Sequence, residues 1–218
     1  MKTNHAIQGA LAAILIYAVS AGAQNIVTNG SFESYGGTGF NSNIGAGLTG
    51  WTIGSGGGVD IVFSTGVEPY YWQAADGNVS LSLNYFSAES VSQTVTTTLG
   101  KSYLLSFFMA AEIYGGPATR TMNVLWDNAI VGSPSFQYTG QGPTSMGWAQ
   151  FNFTVTGTGS DTLKFQSTTS GPYGPALDAV SLVPTPEPST TALAAAAVIM
   201  IAFYRLKMSK AAKQSYGL

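Results

Sequence analysis

The chain has 218 residues, of which only 8% are charged, and its formal net charge is −2. It contains no cysteine, which excludes disulfides and thiol chemistry, and its single histidine, His5, lies near the N-terminus. Residues 24–183 contain three basic and nine acidic side chains, hence a charge of −6, which excludes the basic surface that nucleic-acid binding requires.

Residues 1–23 have the features of a secretory signal peptide. Lys2 precedes an apolar stretch over residues 6–19, and residues 21–23 are small, as they are before a cleavage point. The apolar stretch is shorter than the roughly 20 residues of a membrane span. We therefore expect export with cleavage before Gln24. An uncleaved membrane anchor is the alternative.

Residues 24–183, the predicted ectodomain, alternate between apolar and polar side chains in several short runs. This period of two predicts strands with one buried face, and Gly, Asn, Ser and Pro clusters separate the runs. Because no helical period intervenes, we expect an all-β fold, an antiparallel two-sheet jelly-roll sandwich. The predicted buried positions are Val79, Leu81, Leu83, Tyr103, Leu105, Phe107, Met109, Phe151, Phe153, Val155, Leu163 and Phe165.

A glycine-rich segment without charges covers residues 36–58. Its composition predicts an irregular surface loop along one edge of the sandwich. Trp51, in the strand-like run GWTI, is predicted to plug one end of the core.

An aromatic run supplies the candidate sugar-binding residues, which are Tyr70, Tyr71, Trp72, Gln73 and Asp76. Exposed aromatic rings can stack on pyranose rings, while amide and carboxylate groups bond hydroxyls. On a pleated strand Tyr70 and Trp72 share a face, so both are either platform or core. The pattern narrowly favours core for this pair, with Tyr71 then exposed.

Two acidic residues near opposite ends of the ectodomain form a candidate cation site. Asp178 shares parity with apolar neighbours, which predicts an inward-facing carboxylate that needs a partner. A jelly roll brings its first and last strands together, so Glu33 can meet Asp178. Carboxylate and carbonyl oxygens are the ligands that Ca²⁺ prefers. Ordinary hydrogen bonding of both groups is the alternative.

Catalysis has little support in this sequence. The ectodomain has neither histidine nor cysteine, which leaves only a glycosidase that works with paired carboxylates. Pairs such as Asp60 with Glu68, or Asp76 with Glu89, are available, but no spacing selects one. We therefore expect no catalytic residues.

The C-terminal region contains three segments in a fixed order. A Pro-rich spacer covers residues 184–188, an uncharged apolar stretch covers 189–204, and a basic tail covers 205–218. The apolar stretch predicts a short transmembrane helix with the basic tail in the cytoplasm.

Pro186-Glu187-Pro188, the apolar span and the basic tail that begins at Arg205 resemble the PEP-CTERM sorting signal of Gram-negative bacteria. The resemblance implies recognition by an exosortase, a membrane transpeptidase that cuts near this triplet. The protein would then be membrane-anchored before it reaches the cell surface or extracellular matrix. The tail here is longer and less basic than is usual for the family.

Five blocks in order resemble the choice-of-anchor C family of bacterial surface proteins, namely NIVTNGSFES, GWTI, YWQAADGNVSLSLN, VSQTVTTTLGKSYLLSFFMA and GPALDAVSLV. That family is similar to carbohydrate-binding modules with a galactose-binding-like jelly roll, which implies surface display and glycan contact. In such modules an acidic residue at each of the positions of Glu33 and Asp178 holds a structural calcium.

These observations predict a non-enzymatic exported protein, with two functions in competition. One is a carbohydrate-binding domain that engages exopolysaccharide or a cell-wall glycan. The other is a structural matrix protein or adhesin without glycan binding, and a carboxylate-dependent glycosidase is less favoured.

Overall fold

The structure, a computed structural model, describes residues 24–36, 41–44, 47–56, 58–66, 71–186, 197–205 and 207–208. Twelve strands form within these ranges, and the alternation in the sequence accounts for most of them. They are β1 (Asn41–Ile44), β2 (Thr52–Ile53), β3 (Val59–Phe63), β4 (Val79–Ser82), β5 (Ser90–Thr96), β6 (Ser102–Ala111), β7 (Thr119–Trp126), β8 (Ala129–Gly132), β9 (Ser135–Gln137), β10 (Ala149–Thr156), β11 (Ser160–Ser167) and β12 (Pro175–Pro184).

The strands form two antiparallel sheets, which confirms the predicted two-sheet sandwich. The first sheet has the order β1-β3-β4-β12-β6-β10. The second has the order β2-β5-β11-β7-β8, and β9 pairs with β7 beside this path. The chain changes sheets between β5, β6 and β7 and again between β10, β11 and β12. Such alternation is typical of the predicted jelly roll.

The main core lies between the inner faces of the two sheets. Phe107 on β6 meets Phe165 on β11 edge to face, with ring centroids 4.9 Å apart. The residues predicted to be buried on β4, β6 and β11 are buried, and so is Val155 on β10, whereas Phe151 and Phe153 are half-buried. The period of two therefore identifies the inner faces correctly.

The glycine-rich segment contains two short strands, β1 and β2, and a core residue between its turns. Trp51 packs against Phe32 and Phe165 with ring centroids 5.4 and 6.2 Å away. Its indole N–H donates to the carbonyl oxygen of Asn29 at 3.0 Å. The prediction that Trp51 plugs one end of the core is confirmed.

The C-terminal region is helical over residues 197–205 and 207–208. Across the described stretches of the chain, no helix is both long enough and apolar enough to cross a membrane. The predicted span starts at Ser189, and its first half lies outside the described residues, as do Glu187 and Pro188 of the sorting signal. Pro186 is exposed after β12, and Arg205 is exposed on the helix.

Candidate functional site

Residues 71–76 form a covering segment across the outer face of the first sheet. The register of β4 with β6, through β12 between them, places Ser80 and Ser82 on the face that points away from the second sheet. Simple alternation predicts that side chains on this face are exposed. Both are nevertheless fully buried. The indole N–H of Trp72 reaches down to the hydroxyl of Ser80 at 2.8 Å. The polar face of β4 is thus enclosed rather than solvated.

Trp72 belongs to this enclosed layer and is not a surface platform. Its side chain is 2% exposed and stacks on Tyr114, with ring centroids 6.3 Å apart. The hydroxyl of Tyr114 donates to the carbonyl oxygen of Tyr71 at 2.5 Å. The structure therefore selects the core alternative for Trp72. Tyr71 is half-buried rather than exposed as expected, because its strand-like bridge to Phe63 lays it against the sheet edge.

The other predicted sugar-binding residues are distributed along the same segment. Tyr70 lies outside the described residues. The Gln73 side chain is exposed, while its backbone carbonyl accepts the indole N–H of Trp148 at 2.8 Å. Asp76 is also exposed and accepts the hydroxyl of Ser31 at 2.6 Å. Of the four that the structure describes, Gln73 and Asp76 are the exposed ones.

Asp178 does not face the sandwich core, which corrects the parity prediction. A bulge lies between Asp178 and Ser181, where two residues of β12 oppose one of β6. Ala179 has a φ of 50° at this bulge, a left-handed conformation that reverses the side-chain alternation. Asp178 is thus on the outer face, and it is completely buried beneath the covering segment.

Asp178 binds the last residues of the covering segment, and Glu33 binds the backbone just after it. Asp178 Oδ2 accepts the N–H groups of Ala75 and Asp76 at 2.7 and 3.0 Å, and Oδ1 accepts that of Ala179 at 2.6 Å. One Glu33 oxygen, Oε1, accepts the N–H groups of Asn78 and Val79 at 2.7 and 2.8 Å. The two acids predicted to meet do converge on one loop, and we call this arrangement the loop clamp.

The carboxylates of the predicted calcium site bind backbone N–H groups in the loop clamp. Three of the four carboxylate oxygens already accept N–H groups, and within the described ranges no three acidic or histidine side chains are grouped to hold one ion. Burial raises the pKa of Asp178 to about 7, and the charge of Asp76 adds to the rise, while three backbone N–H bonds oppose it. Calcium therefore stays a prediction.

A second buried polar group lies where β6 ends. Glu112 is 9% exposed and accepts the hydroxyl of Ser82 at 2.6 Å. Burial raises its pKa to about 7, with the bond from Ser82 opposing the shift and the charge of Asp60 increasing it. The fully buried Arg120 donates to the carbonyl of Glu112 at 2.6 Å and to that of Gly115. These bonds hold the loop after β6 against the sandwich.

The loop between β4 and β5 presents two aromatic side chains at the same end of the sandwich. Phe86 is 64% exposed, and its ring centroid lies 3.9 Å from that of the half-buried Tyr85. The buried amide of Asn84 donates to the carbonyls of Thr169 and Gly171 at 2.9 and 2.7 Å. Core packing does not explain an aromatic residue at position 86, because the ring of Phe86 is mostly exposed. We call Tyr85 and Phe86 the aromatic pair.

The aromatic pair was missed by the sequence interpretation, although a signal is present. The alternation of β4 ends at Leu83, and two consecutive aromatic residues follow in NYFS before the next strand begins. Consecutive side chains of an extended segment point to opposite sides, so Tyr85 and Phe86 cannot both face the core. Attention to loops rather than strand ends would have found them.

Three acids of the suggested carboxylate pairs lie within the described residues. Glu89 is buried, and its two oxygens accept the N–H groups of Ser90 and Gly58 at 2.7 and 3.2 Å. Asp76 instead lies on the covering segment and is bound to Ser31. Asp60 is buried on β3, and its suggested partner Glu68 lies outside the described residues.

Comparisons with known proteins match most of the chain. Halomucin from Haloquadratum walsbyi is 31% identical over 188 residues, which cover 81% of this chain but only 2% of halomucin. A family 16 carbohydrate-binding module is 15% identical, with 73% of this chain and 99% of that chain covered and a TM-score of 0.48. TmCBM61, solved in complex with β-1,4-galactotriose, is 16% identical, with coverages of 75% and 100% and a TM-score of 0.47.

The TM-scores of both modules are below 0.5, so the fold assignment rests on the strand order itself. A family model, described as a protein of unknown function, matches residues 25–183. This range ends one residue before the end of β12, and it contains every core residue that the structure describes. The chain therefore belongs to the DUF642 family.

Proposed function

We propose that residues 24–183 form a non-catalytic sugar-binding domain of an exported protein, with the aromatic pair as its platform. The exposure of Phe86 is the observation that carries this proposal. A large apolar ring held in water is unfavourable for folding, whereas flat rings stack well on the apolar faces of pyranoses.

The loop that carries the pair is held in place before any ligand arrives. The amide of Tyr85 donates to the carbonyl of Gly58 at 3.1 Å, and the hydroxyl of Ser87 donates to that of Gly56 at 3.4 Å. The two bonds from Asn84 fix the loop from below. A platform ordered in advance loses less conformational entropy on binding, which supports recognition at this loop.

The distribution of charge favours a neutral polysaccharide. Of the three basic residues of the domain, Arg120 is buried, while Lys101 and Lys164 are half-buried away from the aromatic pair, before β6 and on β11. With a net charge of −6 over residues 24–183, the domain repels polyanions such as uronate-rich polymers.

Export and sorting complete the proposal. The segments that support them are the predicted signal peptide before Gln24 and the C-terminal triplet, apolar stretch and basic tail. An exosortase would process the chain near Pro186 and leave the domain at the cell surface or in the matrix. Intact-mass measurement of protein from the native host tests this, and a full 218-residue chain in the cytoplasm would contradict it.

Affinity gel electrophoresis of the full chain through neutral polysaccharides tests the sugar site. Phe86→Ala should weaken retention by about 1–3 kcal/mol, by analogy with aromatic stacking on bases. Its melting temperature should not change, because the ring is mostly exposed. Leu99→Ala, at a residue 78% exposed in the turn between β5 and β6, is the matched control.

Failure of the native protein to be retained by any neutral polysaccharide would favour the alternative of a purely structural matrix protein or adhesin. Equal retention of Phe86→Ala and native protein would remove the aromatic pair from the site.

A further inference from the structure

β10 is the one long edge strand in the described part of the sandwich. The other strands with a single partner, β1, β2, β8 and β9, have four, two, four and three residues, whereas β10 has eight. Its register with β6 is continuous from Ala149 to Thr156. Among the described residues no strand pairs with its other side. The backbone groups along that side are a template for another strand.

β10 also lacks the features that normally keep edge strands apart. Its sequence, AQFNFTVT, has no charge and no proline, and no bulge interrupts its pairing. Gln150, Asn152 and Thr154 are exposed on one face. On the other face, Phe151 and Phe153 are only half-buried, although both stack on Phe107 with centroids 5.8 and 6.0 Å away. The aromatic rings around Phe107 are therefore left partly exposed at the β10 edge of the sheet.

We propose that β10 pairs antiparallel with β10 of a second copy of this chain, about a two-fold axis at Asn152. The two first sheets then become one continuous sheet of twelve strands. This pairing does not depend on sugar binding.

Charge and strand register both favour a second copy of this chain as the partner of β10. Each copy has a charge of −6 over residues 24–183, and pairing through the uncharged β10 brings no like charges of the two copies into direct contact. With the axis at Asn152, Phe151 of one copy lies opposite Phe153 of the other, and Gln150 lies opposite Thr154. Cross-strand aromatic pairs are among the more favourable ones, and a two-fold axis forms them twice.

The absence of cysteine makes a direct test available. In the full chain, held in a neutral detergent, Asn152→Cys should oxidise to a disulfide-linked dimer, because directly opposed antiparallel residues have Cα atoms within disulfide range. Thr94→Cys is the matched control, since Thr94 is exposed on β5 of the second sheet and is not part of the β10 edge. Equal cross-linking of the two variants would overturn the proposal.

Sedimentation velocity of the cysteine-free chain gives a second readout. The native chain should dimerise, and Asn152→Lys should raise the dissociation constant roughly 100-fold, because two ammonium groups then face each other across the axis. Thr94→Lys adds the same charge and should leave the dimer intact. A monomeric native chain, or a dimer that survives Asn152→Lys at unchanged melting temperature, would refute the pairing.

Discussion

Glu33 and Asp178 hold the same five-residue stretch of backbone, residues 75–79, although they are 145 positions apart in sequence. Asp178 binds its first two N–H groups, and Glu33 binds its last two. Together they fix the end of the segment that covers Ser80 and Ser82. The clamp therefore links the N-terminal segment and β12 to the cover of the first sheet.

Conservative changes at the two acids should have unequal effects on stability. Asp178→Asn leaves one oxygen for three N–H groups, so a buried donor loses its partner at a cost of about 1–3 kcal/mol. Glu33→Gln keeps one oxygen for the two N–H groups that Oε1 accepts, so its cost should be below about 0.5 kcal/mol. Urea unfolding of the full chain measures both. Equal costs would contradict the bonding of Asp178 through both oxygens.

Calcium gives an independent test of the same region. Because N–H groups already occupy three of the four carboxylate oxygens, we expect the melting temperature to be the same in Ca²⁺ and in chelator. A rise of several degrees with Ca²⁺ that Asp178→Asn abolishes would support the calcium site predicted from the sequence. Mg²⁺, which demands a tighter octahedral geometry, serves as the control ion.

The two buried acids should make the domain more stable in mild acid. The folded-state pKa of Glu112 and of Asp178 is about 7, above the ordinary values of 4.5 and 3.8. Because the pKa of each acid is raised by folding, its contribution to stability is fully present below its ordinary pKa. That contribution is lost as the pH rises through about 7. Thermal melts should therefore give a higher melting temperature at pH 5 than at pH 8.

Glu112→Gln isolates one part of this pH dependence. Glutamine can still accept the hydroxyl of Ser82 but cannot ionise, so the stability difference between pH 5 and pH 8 should shrink by up to about 3 kcal/mol. Glu33→Gln is the matched control, because Glu33 is exposed. If Glu112→Gln and the native chain follow the same pH profile, the carboxyl does not titrate in this range.

The inner faces of the sheets could be predicted from sequence because each strand there alternates regularly. Leu105, Phe107 and Met109 on β6 are examples, and all three are fully buried. A β-bulge defeats the same argument at Asp178, because a left-handed Ala179 reverses the alternation without any glycine to announce it. A period of two carries no information about such an insertion.

The covering segment shows a second limit of the sequence. Ser80 and Ser82 alternate with buried residues as solvent-facing positions would, and yet both are buried. The covering segment just before β4 encloses Ser80 through the bond from Trp72, while Ser82 binds Glu112 at the end of β6. Such contacts leave the local alternation unchanged, so alternation alone predicts an open polar face.

Trp72 offers the last test, since its burial separates the two interpretations of the aromatic run. Trp72→Ala should cost about 3–5 kcal/mol of stability, because it leaves a cavity beside Tyr114 and removes the bond to Ser80. Tyr71→Ala, at the half-buried neighbour, should cost clearly less, since its backbone carbonyl still accepts the Tyr114 hydroxyl. Urea unfolding of both variants provides the comparison. A Trp72→Ala variant that folds with native stability but loses polysaccharide retention would return Trp72 to the surface and move the sugar site away from Phe86.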